Sequence, residues 1–188
     1  MSRSQADKAA IHEEIVHLAA ERFREVGLNG IGVAELMKAA GRTSGGFYKH
    51  FESREKLVEE VLASVFEKRT EALKAYVDSA TPRSLGDLVD SYLSQRHKDA
   101  PGSGCALAAL MNDVARSSEP IRALYTEEVR SELAMLTRLM NHPEARAQAL
   151  LTMCTLAGAI GLARAVQDEA LAAEILDTGK TLLKMLEA

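Results

Sequence analysis

The stretch Gly41-Arg-Thr-Ser-Gly-Gly-Phe-Tyr-Lys-His-Phe51 decides the fold of this chain. It follows a short helix predicted over residues 33–40, and Gly41 is a stop signal for that helix. A cap at Thr43 or Ser44 starts a further short helix in the rest of the stretch. Two short helices joined by a tight, glycine-containing turn are typical of the helix-turn-helix arrangement, whose second helix enters the DNA major groove by its N-terminal end.

The residue types in this stretch suit contact with DNA. Gly45 and Gly46 carry little bulk, so the backbone and Tyr48 can come close to bases or phosphates. Residues 38–56 contain five basic side chains against two acidic ones, whereas residues 57–188 contain 14 basic and 19 acidic ones. A locally basic segment on an acidic body favours a small anion-binding module carried by a larger domain.

Apolar residues recur at helical spacing along nearly the whole chain, and no alternating strand pattern interrupts them. Aromatic residues make up only 4% of the 188 residues and Trp is absent, which argues against a β-sandwich or barrel. The pattern predicts an all-α fold with about nine helices. The predicted ranges are 8–26, 33–40, 44–50, 53–81, 84–98, 105–117, 118–140, 144–167 and 169–187.

Other classes of protein find little support in the sequence. Two cysteines cannot form a disulfide framework, and the N-terminus has no apolar run that would indicate a signal peptide. The apolar stretch 149–163 is too short for an easy membrane span and is predicted to be a buried helix. A cytoplasmic protein without a membrane partner is therefore expected.

An enzyme is not expected. The sequence has neither a phosphate-binding Gly-Lys-Ser/Thr loop nor a dinucleotide-binding glycine motif, and its five histidines show no metal-ligand spacing. We therefore predict no metal and no cofactor. A dyad of Cys105 and His97 is compatible with the spacing, but nothing in the sequence orients it. A helical scaffold remains a third class, although it leaves the basic Tyr-Lys-His-Phe segment without a reason.

Residues 41–57, with Tyr48-x-His-Phe followed by Ser53-Arg-Glu-x-Leu57, resemble the recognition segment of the TetR/AcrR family of bacterial transcriptional regulators. Residues 19–27 resemble that family's first helix, and the resemblance covers roughly residues 11–62. It implies a homodimer with one head for each half-site of a palindromic operator. It also implies a DNA-binding domain at 1–55 and a helical ligand-binding and dimerisation domain at 56–188, in which a ligand alters the spacing of the heads.

Roles carry over by position. The resemblance implies that Tyr48 and His50 contact the DNA backbone, and that Arg54 takes the phosphate contact usually made by Lys. Two positions depart from the family: Arg42 replaces Val or Leu and can point to phosphate or cover the turn with its stem, and Gly32 replaces a capping Thr or Ser. The residues expected to contact DNA are Arg42, Thr43, Ser44, Gly45, Tyr48, Lys49, His50 and Arg54.

A ligand cavity is expected among the helices that follow the head. Its candidate lining residues are Phe66, Tyr92, Cys105, Met111, Tyr125, Met135 and Met153. Each of these residue types is also common in an ordinary core. Such a lining would suit a hydrophobic or amphipathic small molecule. Cys154, inside an apolar helix, is predicted to be a core residue.

Cys105 supports an alternative mechanism. It follows Gly102-Ser-Gly104 and is expected in the first turn of a helix, where a thiolate is stabilised. Some members of the family sense electrophiles or oxidants through a Cys after a similar turn. The alternative to the ligand-responsive repressor is therefore a thiol-based repressor, although a small buried core Cys is the common case.

The last two predicted helices carry the expected dimer interface. Small residues at spacings of three to four allow close approach of helices, and two such helices with a symmetry mate form a four-helix interface. The alternative is that these faces are buried within one monomer. The predicted interface residues are Gly158, Gly161, Ala165, Leu171, Ile175 and Leu182.

Overall fold

A computed structural model describes residues 5–80, 84–140 and 143–187. These residues form nine α-helices and three short 3₁₀ helices, and no strand occurs among them. The prediction of an all-α fold with about nine helices is confirmed. In chain order the elements are α1 (Gln5–Val26), α2 (Val33–Ala39), η1 (Ser44–Lys49), α3 (Arg54–Val77), α4 (Leu85–Tyr92), α5 (Gln95–Asp99), η2 (Pro101–Ser103), α6 (Ala106–Val114), α7 (Glu119–Leu139), α8 (Ala145–Ala165), α9 (Glu169–Lys184) and η3 (Met185–Glu187).

Two positions of the predicted pattern differ in the structure. The predicted third helix is the 3₁₀ helix η1, and the predicted fifth helix is divided into α4 and α5. The division lies at Ser94, whose hydroxyl donates to the carbonyl of Ser91 and accepts from the amide of His97. A Ser that caps a new helix competes with continuation of the old one, which the apolar periodicity does not reveal.

Several predicted helix boundaries are confirmed by their caps. Ser53 accepts from the amide of Lys56 at the start of α3, and Asp168 accepts from the amide of Ala170 at the start of α9. Pro120 lies in the first turn of α7, where its missing N–H leaves no helical hydrogen bond unmade. Helix α3 ends at Val77, four residues before the predicted end. Residues 81–83 and 141–142, next to predicted helix ends, lie outside the described residues.

Buried apolar side chains form two clusters that meet along α3 and α6. The first joins α1, α2 and η1 to the start of α3 and to α6, and the second joins α4 and the end of α7 to α8 and α9. Cys105 packs against both clusters. The first cluster continues across residue 55, so the head and the following helices share apolar packing.

Cys154 is exposed on α8, and the prediction of a core position is wrong for the single chain. Helix α8 is apolar on more than one face, so periodicity alone does not show which face its own chain covers. By length and composition α8 could cross a membrane, and 28% of its most apolar window is buried. A single helix of this kind is weak evidence for a membrane span.

Candidate nucleic-acid interface and adjoining cavity

The end of α2 fixes the direction of the segment that follows it. Gly41 has a φ of +66°, its amide donates to the carbonyl of Lys38, and the amide of Arg42 donates to the carbonyl of Met37. These two bonds form a Schellman motif, which requires the left-handed conformation that glycine adopts without strain. The chain therefore turns sharply and enters η1 through Thr43 in an extended conformation.

One aromatic pair divides η1 into a buried and an exposed side. Phe47 is fully buried, and the ring of Tyr48 stands edge-on to it with centroids 5.3 Å apart. Tyr48 itself is 73% exposed. A large, rigid side chain with a polar tip, held by a core neighbour and directed to solvent, is suited to contact with another molecule.

The predicted DNA-contacting residues lie in two groups. One group is exposed around η1 and consists of Thr43, Ser44, Gly45, Tyr48 and Lys49. The other group is half-buried and consists of Arg42, His50 and Arg54. The first group is exposed to solvent, whereas the second also makes contacts within the head.

Arg54 binds the loop between α1 and α2. Its guanidinium donates to the carbonyl oxygens of Leu28 and Ile31, and it lies 5.8 Å from the ring centroid of Phe23. Arg42 lies 3.4 Å from a carboxylate oxygen of Glu14. In the absence of DNA both arginines therefore hold parts of the head together, and their phosphate contacts remain predictions.

The sequence did not reveal a contact between α1 and the end of η1. The His12 ring stacks on Phe51 at 4.5 Å, and its Nε2 pairs with a carboxylate oxygen of Glu60. The ring of His50 lies 5.9 Å away. His12 thus connects the first helix with the recognition segment and α3. The periodicity of apolar residues does not predict contacts between residues so far apart in sequence.

A cavity of about 790 Å³ lies between the two apolar clusters. Of the predicted lining residues, Phe66, Tyr92 and Cys105 border it. The set that does not border it is Met111, Tyr125, Met135 and Met153. Helix α1 of the head supplies part of the wall, which was not predicted.

Tyr125 supports the wall from behind. Its hydroxyl donates to the carbonyl of Leu107 at 2.8 Å, and its ring stands edge-on to Phe66 with centroids 6.0 Å apart. Burial raises the pKa of Tyr125 to about 12. Met111 is instead 36% exposed on α6. A Met or aromatic residue at helical spacing indicates an apolar environment but does not distinguish a cavity wall from the packing behind it.

Four cationic side chains that are not among the predicted lining residues also border the cavity: Arg24, Lys68, Arg69 and Arg96. Arg69 pairs with Glu132 at 2.7 Å. Burial lowers the pKa of Arg24, an effect that nearby acidic groups partly offset. The cavity is therefore amphipathic, with apolar walls and a positive rim.

His97 fixes the turn that precedes Cys105. Its Nε2 accepts from the backbone amide of Cys105 at 3.0 Å, so its Nδ1 carries the proton and donates to the carbonyl of Tyr92 at 2.6 Å. Burial lowers the pKa of His97. The ring nitrogen that a catalytic dyad would use is thus bound to a backbone amide, and this arrangement does not activate the thiol.

An exposed apolar stripe runs along α8. It contains Leu150, Cys154, Gly158 and Leu162, each one helical turn from the next. A Cβ added at Gly158 or Gly161 would meet nothing within 4 Å. The other predicted interface residues on α9 are exposed or half-buried: Leu171, Ile175 and Leu182. Neighbouring apolar side chains that are exposed along a helix are typical of an interaction site.

No cluster of three or more metal-ligating side chains occurs within the described ranges. The prediction that the chain binds no metal remains a prediction.

Residues 15–61 match the family of bacterial regulatory proteins described as the tetR family. The transcriptional repressor KstR2 of Rhodococcus jostii is 27% identical over 133 residues, which are 69% of this chain and 62% of that protein. The repressor NemR of Escherichia coli strain K12 is 27% identical over 155 residues, which are 79% of this chain and 76% of that protein. The match thus spans less than two thirds of KstR2.

The fold is shared beyond the matched head. The crystal structure of the reduced form of E. coli NemR superposes with a TM-score of 0.80 and 21% sequence identity, covering 95% of this chain and 97% of that one. At this level of identity the likeness concerns the fold. Residues 15–61 thus match the family that the recognition segment resembles, and the helical fold of the chain is that of the NemR structure.

Proposed function

We propose that this chain is a ligand-responsive transcriptional repressor, because residues 15–61 match tetR-family bacterial regulatory proteins and the chain shares the fold of the NemR structure. It would act in the cytoplasm as a homodimer on a palindromic operator. The single observation that carries this proposal is the exposed surface around Tyr48, set on a head whose residues 15–61 match the family.

The mode of DNA binding follows from the shape of the head. The N-terminal end of η1, with its small residues Ser44 and Gly45, is narrow enough to enter a major groove, and Tyr48 and Lys49 stand beside it. Phosphate contacts would supply much of the affinity and make it depend strongly on salt. A dimer is needed because one head covers only a half-site.

Release by a ligand follows from the position of the cavity. Helix α1 belongs to the head and also borders the cavity through Ala20 and Arg24. A molecule bound there would contact both domains, and it would favour whichever head spacing preserves those contacts. The repressor would leave its operator when that spacing no longer matches two successive half-sites.

A gel shift with the purified protein tests this proposal. Duplexes that flank its own gene are titrated across salt concentrations, and duplexes selected from a random pool cover a distant operator. We expect a discrete shift on a palindrome that weakens steeply with salt. Absence of a sequence-specific shift in both sets would remove the repressor assignment.

A thiol-sensing repressor is the second candidate, and the surroundings of Cys105 favour it. The half-buried thiol borders the cavity, as do the guanidinium groups of Arg24 and Arg69. Reactive cysteines sit in electropositive, partly accessible surroundings of this kind. The relative NemR has been crystallised in a form described as reduced.

Two cysteine variants separate this candidate from the first. The thiolate adds to the C=C double bond of N-ethylmaleimide: a C–S bond forms, the π bond breaks, and the proton released by the thiol ends on the adjacent carbon. If Cys105 is the sensor, the reagent releases wild type and Cys154→Ser from DNA but leaves Cys105→Ser bound. If both variants were released equally, neither cysteine alone would be the sensor. If only Cys154→Ser stayed bound, Cys154 would be the sensor and the Cys105 hypothesis would be wrong.

A further inference from the structure

We infer that the cavity selects an amphipathic anion: a molecule with an apolar body and a single carboxylate, phosphate or sulfate group. This inference rests on the proposed function, since it names the class of effector that the repressor would bind. The cavity volume of about 790 Å³ falls in the range of small-molecule sites.

The interior of the cavity fits an apolar body. Phe66, Leu73 and Leu88 border it and are at least 93% buried. Phe66 belongs to the first apolar cluster, whereas Leu73 and Leu88 belong to the second. An apolar ligand would therefore fill the space between the two clusters. The free energy gained by removing apolar surface from water is non-directional. The apolar interior therefore does not determine which charge the ligand carries.

The rim determines the charge. Within the described part of the chain, Arg24, Lys68 and Arg96 border the cavity and none of them forms an ion pair with a carboxylate. The carboxylate nearest to Arg24 in sequence, that of Glu25, pairs with Arg22 instead. Cations that border a cavity and have no carboxylate partner are available for an anionic ligand, and hydrogen bonds between ionised groups are the strong ones.

One acidic residue could favour the opposite charge. Glu128 is the only carboxylate among the described residues that border the cavity, and it is 5% exposed with one oxygen lacking a hydrogen-bond partner. Its other oxygen accepts from the hydroxyl of Thr70. Burial raises the pKa of Glu128, an effect that the Thr70 hydroxyl and the Arg69 guanidinium partly offset. The cavity therefore carries one carboxylate, whose charged form is disfavoured by burial, against three cations that lack a carboxylate partner.

Matched amphiphiles test the inference on the purified protein without DNA. Decanoate, decyl phosphate, decan-1-ol and decyltrimethylammonium share one apolar chain and differ in the head group. Titration calorimetry below the micelle concentrations gives their dissociation constants. We expect both anions to bind at least about tenfold more tightly than the alcohol, the increment of one or two charge-assisted hydrogen bonds.

Rim variants show whether the cations are responsible. Lys68 and Arg96 are exposed, so the double variant Lys68→Gln/Arg96→Gln is expected to fold normally and to lose about tenfold in affinity for decanoate while decan-1-ol binding stays unchanged. The control Arg122→Gln removes an exposed cation outside the cavity and should change neither. Arg24 is left intact because it also holds the head.

The outcomes are distinct from those of the DNA experiment. Preference for decyltrimethylammonium would assign the site to cations through Glu128. Equal binding of all four probes would indicate apolar selection alone, and binding of none would remove the amphipathic site. Each of these results overturns the inference while a sequence-specific gel shift would still support the repressor.

Discussion

Arg24 of the first helix donates from Nε to the carbonyl oxygen of Gly102 at 2.6 Å, across 78 positions of sequence. This bond joins the DNA-binding head to the turn that carries Cys105. Helix α1 and this turn approach each other closely, since a Cβ added at Gly102 would lie 2.6 Å from a carboxylate oxygen of Glu25. The head is therefore fastened to the helical domain at the rim of the cavity, where a ligand would act.

Arg24→Ala should loosen this junction. The bond has a charged donor and is partly buried, so its loss should lower the free energy of unfolding by about 1–2 kcal/mol and speed amide exchange at Ser103 and Gly104. The control Arg22→Ala removes an ion pair with Glu25 at the surface, which is worth under about 1 kcal/mol. Equal effects of the two variants in denaturant titrations and hydrogen exchange would show that the Arg24 bond does not fasten the head.

Tyr48→Ala should weaken operator binding without changing the fold. The side chain is 73% exposed, so its removal should leave the melting temperature unchanged while the dissociation constant for the operator rises about tenfold. Lys49→Gln should reduce the salt dependence of binding by roughly one phosphate contact. Fluorescence anisotropy on labelled operator measures both, with Arg146→Gln as the control, an exposed cation on α8, a helix whose buried residues belong to the second apolar cluster. If both head variants bound as tightly as this control, η1 would not be the DNA-contacting element.

The recognition segment could be predicted from sequence because its information is local. Gly41 stops α2, and Phe47 alternates with Tyr48 between core and solvent within a few residues. The predicted ligand residues fared differently. Met135 and Phe66 satisfy the same periodicity, yet only Phe66 borders the cavity. A cavity forms where helices far apart in sequence leave space between them, and the periodicity of one helix does not show where that is.

Long-range polar contacts were beyond the sequence for a related reason. The pairing of Arg69 with Glu132 and the contact of His12 with Glu60 join residues 63 and 48 positions apart. Charged residues on amphipathic helices usually face solvent, so their types and spacing carry no signal of a specific partner. The division at Ser94 depends on two side-chain hydrogen bonds that no apolar pattern encodes.

His97 should make the stability of the turn before α6 depend on pH. Its pKa is lowered from 6.5 by burial, so the neutral ring contributes stability that is present above pH 6.5 and lost as the pH falls towards the folded-state pKa. His97→Gln keeps a donor and an acceptor but does not titrate. Between about pH 7.5 and about pH 5.5 the wild type should therefore lose more stability than this variant.

Thermal unfolding across this pH range measures the difference. His17→Gln is the control for the exchange of a histidine for glutamine, because the His17 side chain is 70% exposed. A His97→Gln profile parallel to that of the wild type would mean that His97 takes up its proton equally in the folded and unfolded states.

Gly158→Gln should stabilise the monomer and weaken the dimer. Nothing lies within 4 Å of a Cβ at this position, so the monomer accommodates the side chain, and replacing Gly in an exposed helix gains up to about 1 kcal/mol. If α8 packs closely against a second copy, the same side chain occupies the space of the partner helix and shifts the dissociation constant upward. Ala173→Gln is the control, because Ala173 is exposed on α9 on the side of Asp177 and Lys180. Analytical ultracentrifugation over a dilution series should show earlier dissociation of Gly158→Gln only. Packing within the monomer explains Gly179, because an added Cβ there would meet Leu93 at 3.0 Å, but it does not explain Gly158. If the Gly158→Gln dimer were as tight as that of the wild type, the interface would lie elsewhere.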